Sequence, residues 1–177
     1  MSHHPHPDPA HYTITCVIIT VSDTRTPDTD RSGQLIQTLL SDAQYIIADY
    51  TIVNDEPDDI RDRIEQWCEL EQVDAIILNG GTGIAPRDTT YDAVEALLDK
   101  VLPGFGELFR MLSYEEIGSR AMASRAIAGV RGNTLIFSLP GSTNAVMLAM
   151  QTLILPELVH LTHQLNPHRH PPKKSSR

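Results

Sequence analysis

Asn79-Gly80-Gly81-Thr82-Gly83, followed shortly by Arg87-Asp88, gathers the residue types with the clearest chemical use in this chain. Glycines let a backbone turn sharply and aim successive N–H groups at an anion, because no Cβ stands between chain and ligand. The Thr82 hydroxyl adds a donor, and the Asp88 carboxylate offers an oxygen ligand to a hard divalent cation. The apolar run Val73–Leu78 ahead of the loop reads as a strand and the segment after it as a helix. Gly80, Gly81, Thr82 and Gly83 are therefore candidates for holding a phosphate-bearing ligand, with Asp88 as candidate metal ligand. The pattern has neither the lysine of a P-loop nor the G-x-G-x-x-G spacing of a dinucleotide site. Glycine-rich loops are also ordinary turns, and Asp88 also suits the cap of a helix beginning near Thr89.

Further polar clusters close other apolar runs. Ser22-Asp23 follows Ile14–Val21, and Asn54-Asp55 follows Ile46–Val53. If these strands are parallel, both clusters and the glycine loop share one rim, where open α/β sheets bind ligands. Asp55 stands at such a strand end; an Asx turn before Pro57 is the plain reading of it. Ser22 and Asp23 either bind or cap the loop that follows them. Pro140-Gly141-Ser142 interrupts the run Thr134–Leu139, and Gly141 and Ser142 open a helix whose N-terminus suits an anion.

The elements that must position these groups alternate in period. Ser32 or Thr29 is expected to cap a helix carrying Leu35, Ile36, Leu39 and Leu40. Asp58 and Asp59 load the start of the next helix, where the dipole favours acids, and Ile60, Ile64, Trp67 and Cys68 form its inner face. Thr89–Lys100 is predicted as a third helix with Val94, Leu97 and Leu98 inward. A helix near Gly106–Glu116 follows, then an antiparallel pair, Ala126–Val130 with Thr134–Leu139, around Arg131-Gly132-Asn133. The last helix reaches about Leu165, with Pro156 expected to kink it or to begin a new segment. Strand–helix repeats of this length are right-handed crossovers onto a parallel sheet.

The 177 residues suit one domain, read as 12–166 between a His/Pro-rich tail, 1–11, and a basic tail, 167–177, both expected to be disordered. A net charge of −9 and 5% aromatics argue against nucleic-acid binding, which wants a basic face or stacking platforms. Cys16 and Cys68 form no C-x-x-C and read as buried free thiols of a reducing cytosol. No secretory signal pattern is visible, and Ala145–Leu161 is broken by Gln151, Pro156 and Glu157, so neither export nor a membrane span is expected.

In this order the segments resemble the MoaB/MogA family of molybdenum cofactor biosynthesis proteins. The likeness is carried by Thr20-Val21-Ser22-Asp23, the Asp30–Gly33 turn, the glycine loop with Arg87-Asp88, Pro103-Gly104-Phe105-Gly106-Glu107, Ser124-Arg125 and Leu139-Pro140-Gly141-Ser142. Gly104–Gly118 and Leu135–Thr143 resemble MoaB in particular. The resemblance implies an α/β fold, a three-layer α/β/α sandwich with a mainly parallel central sheet, assembled as a hexamer or a trimer. It implies adenylylation of molybdopterin by ATP with Mg²⁺ required, pyrophosphate leaving, and a further protein inserting molybdate or tungstate. A non-catalytic molybdopterin-binding protein of the same fold is the alternative. The family's two acidic positions fall on Asp55 and Asp88. Some MoaB-type relatives deviate at the first position; both carboxylates are present here, which favours an active enzyme. Glu107, Ser124 and Arg125 enter the candidate substrate site through the same resemblance.

Overall fold

A computed structural model describes residues 13–169. The His-rich tail and most of the basic tail lie outside the described residues. Pro167–Arg169, assigned to the tail from sequence, form a turn in which Arg169 pairs with the buried Asp74 at 3.2 Å.

Six strands form one mixed sheet in the order β2-β1-β3-β6-β5-β4, in which the edge strand β4 is Lys100–Val101. β1 (Thr15–Val21), β2 (Ile46–Val53), β3 (Ala75–Asn79) and β6 (Thr134–Leu139) run parallel, while β5 (Ile127–Arg131) is antiparallel to both its neighbours. Period-two alternation sends Cys16, Ile18, Ala75, Ile77, Leu135 and Phe137 to one face and Val17, Ile19, Ile76, Leu78 and Ile136 to the other. The first face is covered by α1 (Arg31–Asp42), α4 (Pro103–Ile117) and the C-terminal helix; the second by α2 (Pro57–Cys68) and α3 (Thr90–Leu97). This is the expected three-layer sandwich.

Several element ends differ from the sequence reading, each for a local reason. α1 is capped by Asp30, which accepts from Gly33 N–H, and by neither Ser32 nor Thr29; Ser32 instead donates to Gly141 O at 2.8 Å. α3 stops at Leu97, because Lys100–Val101 leave the helix to form the short edge strand β4, paired with Val130 and Gly129. α4 begins at Pro103, since proline suits the first turn, where its missing N–H is not needed. A 3-10 turn, Gly118–Ala123, links α4 to β5.

The C-terminal helix runs without a break from Thr143 to Leu165. It comprises α5 (Thr143–Ala149), a π-helical turn (Met150–Ile154) and α6 (Leu155–Leu165), with Pro156 in the first turn of α6. The widened turn accommodates the proline, which has no N–H to continue the ladder. By length and composition this helix could cross a membrane, yet Val146, Ala149, Met150, Ile154 and Leu158 are fully buried against the sheet. It is a core helix.

Candidate functional site

β1, β2, β3 and β6 end on one rim. Their register aligns Val21 with Val53, Thr20 with Asn79, and Asn79 with Leu139. Three of the four loops that follow, after β1, β3 and β6, surround a cavity of about 570 Å³ closed on its other side by α4 and the 3-10 turn. Ser22, Arg25, Gly80, Gly81, Thr82, Gly83, Asp88, Ser113, Arg120, Ser124, Gly141 and Ser142 contribute its polar lining; Phe109, Ile117 and Pro140 are among its apolar lining.

The glycine loop leaves β3 with Gly80 at φ +107° and Gly81 at φ +60°. A Cβ on Gly80 would collide with the Val21 carbonyl oxygen, and one on Gly81 with the Thr90 hydroxyl and the Asp55 carboxylate. Both positions therefore need glycine, for backbone angle and for space. Gly80 N–H is spent on Leu139 O at 3.0 Å, whereas the N–H groups of Gly81, Thr82 and Gly83 make no hydrogen bond among the described residues. Those three residues line the cavity.

The acids separate. Asp88 is half-buried on the lip of the cavity; its Oδ2 accepts Ala85 N–H at 3.0 Å, and its Oδ1 makes no hydrogen bond among the described residues. Asp55 is only 7% exposed and does not line the cavity. It packs beneath Gly81, and its Oδ1 accepts both Thr89 N–H, at 3.1 Å, and the Thr89 hydroxyl, at 2.8 Å. The two carboxylates thus flank one loop from different sides without sharing the open space. Asp23 is exposed; it accepts Asp55 N–H and pairs with Arg87, contacts that hold its carboxyl below the usual range. Among the described residues no group of three His, Cys, Asp or Glu side chains is arranged to hold a metal ion.

Other sequence candidates fall into three sets. Ser22 lines the cavity while its Oγ accepts the N–H groups of Thr24 and Arg25, so it turns the loop as well. Ser142 caps α5 through Ala145 N–H, and Gly141 O accepts from Arg25 and Ser32. Ser124 presents a buried Oγ with no partner among the described residues. Arg125 is absent from the lining, because its guanidinium is committed to Gly83 O, Asp88 O and Asp92. Glu107 is exposed in a separate small pocket with Tyr91 and Arg110, outside the cavity.

Residues 17–160 match the family described as "Probable molybdopterin binding domain". The chain belongs to the MoaB/MogA family. It is 52% identical over 166 residues to the molybdenum cofactor biosynthesis protein B of Bacillus subtilis, covering 93% of this chain and 98% of that one. Identity to the protein of the same name from Staphylococcus carnosus is 56% over 155 residues, 86% and 91% of the two chains. A crystal structure of a molybdenum cofactor biosynthesis protein B superposes with a TM-score of 0.85 at 52% identity, covering 90% of this chain and 98% of that one. The tungsten cofactor synthesizing protein MoaB of Pyrococcus furiosus superposes with a TM-score of 0.78 at 36% identity, covering 88% and 99%.

Within this MoaB/MogA fold, the sequence reading missed the group that joins the first strand to the cavity. Asp30 is fully buried; Thr20 and Tyr50 hydroxyls donate to its Oδ2, and Gly33 N–H and Arg25 to its Oδ1. Burial alone would raise its pKa, yet these donors and the Arg25 charge outweigh burial and hold it below the usual carboxylate range. Tyr50 is pushed upward by burial and by its bond to Asp30. Arg25, so anchored, lines the cavity and ties β1 to Gly141 O at 2.8 Å and, at 3.4 Å, to Asn79 Oδ1. The clue in sequence was an acid at the start of a helix with no basic neighbour except Arg25 and Arg31. Arg120, exposed on the 3-10 turn, lines the opposite wall and forms no salt bridge with a described residue. Both cysteines are free; burial pushes the Cys16 thiol well up and the Cys68 thiol up to about 11, so neither is a thiolate at neutral pH.

Proposed function

We propose that this chain adenylylates molybdopterin: the terminal phosphate oxygen of the pterin attacks the α-phosphorus of ATP, the α–β phosphoanhydride bond breaks, and pyrophosphate leaves. The observation that carries this reading is the pairing of three unsatisfied glycine-loop amides with the Asp88 carboxylate on the lip of one cavity. Transfer between two anions is limited by their repulsion, so positioning and charge compensation supply most of the catalysis.

The residues fit Mg²⁺. This ion binds through one or two protein carboxylates with phosphate oxygens and water completing its shell, so a lone carboxylate oxygen with no other bond is a suitable donor set. Asp88 would hold it, and when bound it would neutralise phosphate charge. The chain's own groups do the rest. Gly81, Thr82 and Gly83 amides and the Thr82 and Ser124 hydroxyls are donors for phosphate oxygens, and Arg25 and Arg120 add positive charge on opposite walls. Phe109, Ile117 and Pro140 supply apolar surface for a ring. No general base is needed, since the attacking group is already an anion. Family membership supports the pterin as acceptor.

ATP-dependent pyrophosphate release, measured with molybdopterin and Mg²⁺ present, tests this. Release that requires both substrates is the expected result. Tight pterin binding without release would assign the chain to carrying molybdopterin instead.

A further inference from the structure

The loop that bears Asp88 is gripped from two sides by charged residues distant in sequence. Arg125, just before β5, donates Nε–H to Gly83 O and an Nη2–H to Asp88 O, each at 3.0 Å, so one guanidinium spans both ends of the loop. Its Nη1 meets both Asp92 carboxylate oxygens at 3.1 Å, and its Cζ lies over the Tyr91 ring, 5.0 Å from the centroid. Few donors remain for any ligand. From the other side, Asp55 Oδ1 holds the N–H and the hydroxyl of Thr89, and Asp55 N–H is itself held by Asp23. Gly81 stands over Asp55, which does not line the cavity.

We propose that Arg125 and Asp55 are positioning residues: they act on the reaction through the Gly83–Thr89 loop by setting where the Asp88 carboxylate stands, and neither touches substrate. This rests on the reading of Asp88 as metal ligand. Only a planar fork can bridge two carbonyls while chelating a carboxylate, so lysine cannot replace Arg125. An amide oxygen, by contrast, still accepts from Thr89, so asparagine can replace Asp55.

The test uses the full chain and three measurements: Mn²⁺ affinity in the presence of ATP by water-proton relaxation, amide hydrogen exchange over 83–89, and metal-free affinities for ATP and molybdopterin. In R125K, Mn²⁺ affinity should fall about tenfold, the usual cost of losing an outer-shell partner of a metal ligand. Loop exchange should quicken, and the metal-free affinities should stay within about twofold. D55N should match the parent in all three, while D55A follows R125K. D92N, at an exposed acid, should shift the same quantities less and serves if R125K does not fold. Lost metal-free affinity in R125K with unchanged loop exchange would make Arg125 a substrate contact and overturn the proposal. Loss of Mn²⁺ in D55N to the extent seen in D88N would make Asp55 a ligand and overturn it as well. Should D88N bind Mn²⁺ like the parent, the metal reading fails on its own. Quickened exchange in R125K, with D55N silent, would then still uphold the two-sided grip, and unchanged exchange would end it.

Discussion

Single carboxylates in this protein do three different jobs, separated by what surrounds them. Asp88 keeps an oxygen without a hydrogen bond at the cavity lip, Asp55 spends Oδ1 on the N–H and hydroxyl of Thr89, and Asp30 is buried under four donors. Asp88→Ala should therefore cut pyrophosphate release by about a hundredfold or more while leaving the melting temperature near that of the parent. Unchanged turnover would remove Asp88 from the site. Asp30 carries an acid-stability signature. Its folded pKa lies below its unfolded value of about 4, so its contribution is present above that pH and is lost as pH falls through the lowered value. Urea denaturation from pH 6 downward should show stability declining below about pH 4, with a shallower decline in Asp30→Asn. An equal slope in both proteins would show that other carboxylates carry the acid limb.

Elements matter here chiefly through where they end. Four parallel strands deliver their polar termini to one rim because right-handed crossovers return each strand in the same direction. The loop after β3 then passes so close to β1 that Gly80 lies against the Val21 carbonyl. Gly80→Ala meets both a positive φ and that oxygen, and should cost about 1–3 kcal/mol in denaturant titration. Because the loop must shift to relieve the clash, ATP affinity should fall with it. A variant of parental stability would mean that the loop adapts without strain.

At the scale of the whole molecule, α4 and the 3-10 turn leave Leu108, Met111, Tyr114, Ile117 and Met122 exposed while Phe105 and Phe109 fill the core. Large apolar side chains left exposed along one helix and the turn after it are candidates for contact. We propose that this surface joins copies of the chain into a hexamer or a trimer. Light scattering at micromolar concentration should give an oligomer, and Met111→Asp should lower the mass. A monomeric parent would refute the contact. Net charge of −9 favours small anionic substrates only where arginines and a cation offset it locally, and Arg25 and Arg120 stand on opposite walls of the cavity.

Hydrophobic period, turn residues and glycine spacing were enough to read three parallel strands, their crossovers, the shared rim and the glycine loop with Asp88; Thr134–Leu139 was legible only as the partner of an antiparallel pair, and its parallel pairing with β3 was not. Those features are local: they follow from side-chain alternation and backbone freedom within a few residues. Asp55 was legible as a polar strand end on the rim and Arg125 only through the family resemblance, but their partners are Thr89, Gly83, Asp88 and Asp92, chosen by packing across the molecule. The edge strand β4 was invisible for the same reason, since two residues carry no period and exist as a strand only beside β5. The burial of Asp30 likewise depends on Tyr50 and Thr20 arriving from other strands. Sequence by itself determined which residues could do chemistry; tertiary structure decided which face open space and which hold the others still, because a charged side chain's role is set by the partners that folding brings within hydrogen-bond reach.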